Sequence, residues 1–199
     1  VADNQTDISF IKLKSKNSIC NIYPLGALTI SCKSIEMAEL FDMKNSGAVG
    51  FYDYKKPILN SNLLKTSLLY SQSFDSVVMS FPMDQSIAKK GIINEGKISV
   101  SYGVEGIPNF SEEIQINRDP HILEYTGGKL HIPTISTKNS LDLIKKAKSK
   151  GLNVTCSVAI HNLIFNENKL KDFDTRFKVL PPLRTEKDRL ALIKGVKNG

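Results

Sequence analysis

Ser76-Val77-Val78-Met79-Ser80-Phe81 is an almost unbroken apolar run, closed by Pro82, which has no backbone N–H to donate. Before it, Asn60 to Ser73 carries Leu63, Leu64, Leu68, Leu69 and Tyr70 at helical spacing. Earlier still, Ala48-Val49-Gly50-Phe51-Tyr52 is a second apolar run, with Asp53 at its end. A strand, a helix and a strand in this order, with both strands apolar throughout, describe a parallel sheet covered on both faces.

The same alternation continues in both directions. Ile19 to Leu25 reads as a strand, and Lys33 to Asn45 as a helix stopped near Gly47. Met83 to Pro108, punctuated by Gly91, Gly96, Gly103 and Gly106, reads as a long loop with short elements. Phe110 to Asn117 resumes a helical pattern, with Glu112 and Glu113 at the end where negative charge suits the helix dipole. Lys129 to Ile135 is a strand, Ser140 to Lys150 a helix ended by Gly151, Val154 to Ile160 a strand, and Thr185 to Lys197 a helix. Repeated βα units give an α/β fold, either a doubly wound sheet or a (β/α)8 barrel. The strands found are too few to close a barrel alone, and the pattern does not choose between the two.

Composition narrows the function classes. With 41% hydrophobic and 24% charged residues, the chain has the balance of a globular domain. No run approaches the roughly 18 apolar residues of a membrane span, so no membrane association is expected. The start has neither the pattern of a signal peptide nor an initiator Met, so the true N-terminus is expected upstream. Cys20, Cys32 and Cys156 are odd in number and far apart, as suits reduced thiols and a cytoplasmic location. The formal charge of +7 raises nucleic acid as a partner. However, the basic residues are dispersed, and the densest group, Lys145, Lys146, Lys148 and Lys150, sits in an amphipathic helix pattern. A solvated face is expected, and no nucleic acid.

Several segments together resemble dihydroorotases. They are Ile22 to Thr29, Ala38 to Met43, Gly47 to Asp53, Tyr125 to Ile132, Ile135-Ser136-Thr137, Val154-Thr155-Cys156, and Phe173-Asp174-Thr175 running on to Pro181-Pro182-Leu183-Arg184. The resemblance covers essentially the whole chain. It implies a (β/α)8 barrel of the amidohydrolase superfamily that interconverts carbamoyl aspartate and dihydroorotate in pyrimidine synthesis, using zinc at the C-terminal ends of its strands. On this mapping residues 1–199 are the central part of a single barrel domain, about strands three to seven, truncated at both ends. The His-x-His ligands of the first strand and the catalytic Asp of the eighth lie outside it.

The resemblance also specifies which residues should be polar, and here the chain departs from it. A catalytic zinc needs about three N, O or S ligands. Relatives place a zinc-binding His at the end of strand five; here Phe81 stands there. In strand six, relatives read His-x-x-His-x-Ser-Thr. The matching His131-Ile132-Pro133-Thr134-Ile135-Ser136-Thr137 puts Thr134 at the ligand position. Strand alternation sets His131 on the face opposite Thr134, so it reads as a structural histidine. Asp53 falls where relatives carry an acidic or modified metal bridge, but the following residues are Tyr54-Lys55 rather than Asp-Gly. Ile160-His161-Asn162 replaces a Pro-His-His run, and Leu180 replaces a substrate-contacting Asn. His121 lies outside any ligand spacing, and Asn94-Glu95-Gly96 resembles a family loop segment, read as architecture.

The expectation is therefore a chain with no catalytic residues of its own and no metal, in contrast to its zinc-dependent relatives. Asp53, His161 and Asn162 remain candidates to line a substrate pocket. Partners are expected to be proteins: the rest of the barrel, a second copy, or aspartate carbamoyltransferase, with which inactive relatives assemble. Exposed sheet edges favour such association.

Overall fold

A computed structural model describes residues 1–198. They form two compact units: Val1–Phe81 with Asp119–His131 and Leu152–Val154, and Pro82–Arg118 with Ile132–Gly151 and the residues from Thr155 on. The class is α/β with parallel pairing, as the alternation predicts.

In the first unit, α1 (Gln5–Ser15) and α2 (Leu40–Asn45) precede β1 (Gly50–Tyr52), α3 (Ser61–Gln72) and β2 (Val77–Met79). β5 (Lys129–Ile132) and β6 (Val154–Cys156) complete a four-stranded sheet of order β1-β2-β5-β6. β1 and β2 are parallel, with Gly50 opposite Val77, and β2 and β5 are parallel, with Val78 opposite Leu130. Gly50 is required there, because a Cβ would come within 2.6 Å of Val77 Cγ1. Phe51, Val78 and Leu130 of the sheet are buried, as are Leu64 and Leu68 of α3 and Met43 of α2. Asn60 caps α3 by accepting from the amides of Asn62 and Leu63.

The second unit contains α4 (Gln85–Ala88), β3 (Ile93–Asn94), α5 (Lys97–Tyr102) and β4 (Gly106–Ile107), all within the stretch expected to be a long loop with short elements. β3 and β4 pair in parallel. α6 (Phe110–Thr126) begins in this unit and runs on through Pro120 into residues of the first, past the end expected at Asn117. α7 (Lys138–Ser149), α8 (Ile160–Ile164) and α9 (Glu186–Asn198) follow. α7 is capped by Thr137, and its first amide donates to Asp188 of α9 at 2.9 Å. Among the described residues, no helix is long and apolar enough to cross a membrane.

Several expected elements are shorter than the apolar pattern suggests. Ile19 to Leu25 forms no regular strand. Only Pro24 to Gly26 follows β1, through Val49 N to Pro24 O, Gly26 N to Gly50 O and Tyr52 N to Gly26 O. Pro24 itself has no donor for a ladder. The helix expected from Lys33 starts only at Leu40, since Ser31, Cys32 and Ser34 take left-handed backbone and Thr29 bridges Met37 instead. The strand expected to reach Ile160 ends at Cys156, and Ile160 opens α8.

Candidate functional site

Asp53 follows β1 and is 2% exposed. Its Oδ1 accepts from the amides of Leu28 (2.8 Å) and Thr29 (3.0 Å), and its Oδ2 accepts from the Thr29 hydroxyl. Both oxygens are thus engaged in holding the turn that follows Pro24 to Gly26. Burial, reinforced by the charge of Asp53, pushes the nearby Cys32 thiol up, away from the thiolate that would bind a metal.

Phe81 ends this segment of the first unit and is 1% exposed, a fully buried core side chain. His131, in β5, is half-buried, and its carbonyl accepts from Ser80 N at 3.1 Å. Burial pushes its imidazole below the usual histidine value. In the unfolded chain the group binds its proton at higher pH, so acid favours unfolding. The His131 contribution is expected to leave stability level above about pH 6.5, the ordinary histidine value. Below that, stability falls until the folded-state value is passed. A urea-midpoint profile against pH should show this step, and His131→Gln should flatten it.

Thr134 belongs to the second unit, and its backbone is left-handed, with φ 66°. The alternation expected along this strand therefore stops at Ile132. Ser157, after β6, holds the bend: its Oγ accepts from Thr134 N at 3.2 Å, and its carbonyl accepts from Ile135 N at 2.9 Å. A β-branched residue in this region is strained by about 1–2 kcal/mol. Thr134→Asn should consequently raise stability by about 1 kcal/mol, read as a higher urea midpoint at unchanged slope.

His161 and Asn162 start α8. His161 is half-buried; Asn162 is buried, and its Nδ2 donates to the Pro182 carbonyl at 3.1 Å. This bond ties down the stretch that carries Leu180. Of the pocket candidates, His161 and Asn162 are adjacent in the second unit, while Asp53 lies in the first.

The second unit also holds a buried polar centre that the sequence did not reveal. Glu112 of α6 is fully buried. Its Oε1 accepts from Ser136 N (2.8 Å), Thr137 N (3.2 Å) and Ser140 Oγ (2.6 Å), and its Oε2 accepts from Ser136 Oγ. Arg184, also buried, brings Nη2 to 3.9 Å from Glu112 Oε2. Its Nε donates to Ser136 Oγ at 3.0 Å, and its Nη1 donates to Asn94 Oδ1 (2.8 Å) and the Ile107 carbonyl (2.6 Å). Glu112 was read as favouring a helix start, but the only local hint of a buried carboxylate is the hydroxyl run Ser136, Thr137 and Ser140.

These residues do not fit a catalytic zinc. Phe81 offers no lone pair, Asp53 has both oxygens engaged, and Thr134 supplies a neutral hydroxyl. Among the described residues, no three His, Cys, Asp or Glu side chains converge as a metal site.

The family model described as Dihydro-orotase-like matches residues 2–140. A dihydroorotase of Acetivibrio thermocellus is 40% identical over 200 residues, covering all of this chain and 47% of that protein. One from Pelotomaculum thermopropionicum is 39% identical, also over all of this chain and 47% of its own. The chain thus spans about half the length of the curated relatives it matches. Among solved structures, an L-hydantoinase (dihydropyrimidinase) from Arthrobacter aurescens superposes with a TM-score of 0.80, at 19% identity, over 100% of this chain and 46% of that one. A D-hydantoinase (dihydropyrimidinase) from a Thermus species gives 0.73 at 16% identity, over 99% and 45%. The hydantoinases share the fold; the family match, with dihydroorotase relatives along the entire length, makes this chain a member of the dihydroorotase-like family.

Proposed function

We propose that this chain is the central part of a dihydroorotase-type barrel, about strands three to seven, in a protein of pyrimidine synthesis that no longer performs zinc-dependent turnover. Phe81 carries this reading. At the position where the resemblance calls for a zinc-binding imidazole, a phenyl ring is buried in the core. Zinc promotes amide hydrolysis by supplying a hydroxide near neutral pH, and that chemistry requires ligands. Leu180 supports the same reading, since an alkyl side chain cannot replace the family's Asn as a hydrogen-bond partner to the substrate.

The test is metal content and turnover in the complete protein. Little bound zinc and no conversion of dihydroorotate at mildly alkaline pH are expected. Stoichiometric zinc, with turnover abolished by a chelator, would overturn the proposal.

The retained role is then that of a partner or scaffold in the cytoplasm. Exposed Leu25 beside β1, with exposed Ile22 and Tyr23 just before it in the chain, offers an apolar edge for the remaining barrel segments or a second copy. Aspartate carbamoyltransferase is the enzyme partner that the resemblance implies. Co-elution of the two proteins on a sizing column is expected, and separate elution counts against the partnership.

A further inference from the structure

After α8 the chain enters a stretch whose two ends meet. The Glu167 amide donates to the Arg184 carbonyl at 2.9 Å. The side chains of the same two residues converge on Asn94, which is 3% exposed. Asn94 Nδ2 donates to Glu167 Oε2 at 2.5 Å, and Asn94 Oδ1 accepts from Arg184 Nη1 at 2.8 Å. A carboxamide offers a donor and an acceptor on one planar group, so it can serve a carboxylate and a guanidinium at once.

Between those ends, few side chains are buried. Leu170 packs with Ile93 and Ile98, and Tyr102 and Phe177 lie against that small cluster. From Lys171 to Leu180 every side chain is exposed or half-buried. The Tyr102 ring stands 4.2 Å from that of Phe173, and its hydroxyl donates to the Lys171 carbonyl. A segment with so few apolar contacts opens at lower free energy than the helices around it, unless its ends are fixed.

We propose that Asn94 is a positioning residue: it pins both ends of the Glu167 to Arg184 stretch, closing it into a loop of set geometry and so fixing where Leu180, Pro181 and Pro182 stand. Asn162, on the Pro182 carbonyl, is the second hold. The assignment does not depend on whether the protein turns over substrate, because its test requires neither ligand nor metal.

Asn94→Asp keeps the acceptor for Arg184 but replaces the donor to Glu167 with a second carboxylate. Amide hydrogen exchange in the full chain should then lose protection roughly tenfold or more within residues 167–184, while α7 and α9 keep theirs. Adding Glu167→Gln reverses the bond, with the new amide donating to the new carboxylate, and preserves the total charge. This double variant should recover most of the protection. The proposal is overturned if N94D leaves the stretch protected, if the loss spreads equally to α7 and α9, or if the double variant is no better than the single. Should N94D alone fail to fold, the double variant decides: protection near that of the parent supports the pin, and an unprotected stretch refutes it.

Discussion

Arg184→Met should reduce the stability of the protein by about 3–5 kcal/mol, the usual cost of removing one partner from a buried ion pair. Met fills much of the same space but leaves three acceptors changed: Asn94 Oδ1 and the Ile107 carbonyl lose a donor, and Ser136 Oγ loses the Nε contact. It also leaves the Glu112 carboxylate buried without its countercharge. Burial presses the Arg184 guanidinium below its ordinary value, while Glu112 beside it acts the other way. For a chain of this size the loss corresponds to a melting point lower by roughly 6–20 °C. Glu112→Gln combined with Arg184→Met should cost less than Arg184→Met alone, because the amide removes the unpaired charge yet keeps an acceptor for the Ser136 and Thr137 amides. Denaturant midpoints for the two variants test this. A single-variant cost below about 1 kcal/mol would mean that the pair is not truly shielded from solvent.

That buried centre also joins three of the segments that resemble dihydroorotases. Asn94-Glu95-Gly96, Ile135-Ser136-Thr137 and Pro181-Pro182-Leu183-Arg184 are far apart in sequence, yet each contributes a side chain to the network around Glu112. Their chemistry is needed to satisfy buried polar groups whether or not any metal is bound.

The sequence was most legible where the physics is local. The Leu spacing of Asn60 to Ser73 corresponds to α3, and that of Ser140 to Lys150 to most of α7. The apolar run around Val78 corresponds to β2. Misjudged lengths came from competing local chemistry: the missing donor of Pro24, and the left-handed Ser31, Cys32 and Ser34, which spoil a plausible helical stripe. The site was harder to read because its contacts are long-range. Asp53 shows as a carboxylate at a strand end, but nothing near it indicates that the amides of Leu28 and Thr29 will occupy it. Glu112 likewise looks like any acidic residue in a first helical turn until Arg184 is brought beside it.

Phe81→Ala should cost about 3–5 kcal/mol, the loss typical of a fully buried aromatic side chain that leaves a cavity behind. A phenyl ring lining an open, solvent-filled pocket would cost far less, so the size of the loss separates a core residue from a pocket residue. Phe81→His sharpens the comparison. Imidazole restores part of the volume but brings a polar ring into an apolar setting, so this variant should also be destabilised, by desolvation rather than by a void. Zinc should then make no difference to it. A metal that bound only the folded state at 100 times its dissociation constant would add about 2.7 kcal/mol, enough to raise the melting point by several degrees. Within this chain, Thr134 stands at the next ligand position and Asp53 is bonded by Leu28 and Thr29, so one restored imidazole is expected to lack companions here. A clear zinc-dependent rise in the melting point of Phe81→His, absent from the parent, would show that the other ligands are in place and that a single substitution had silenced the metal.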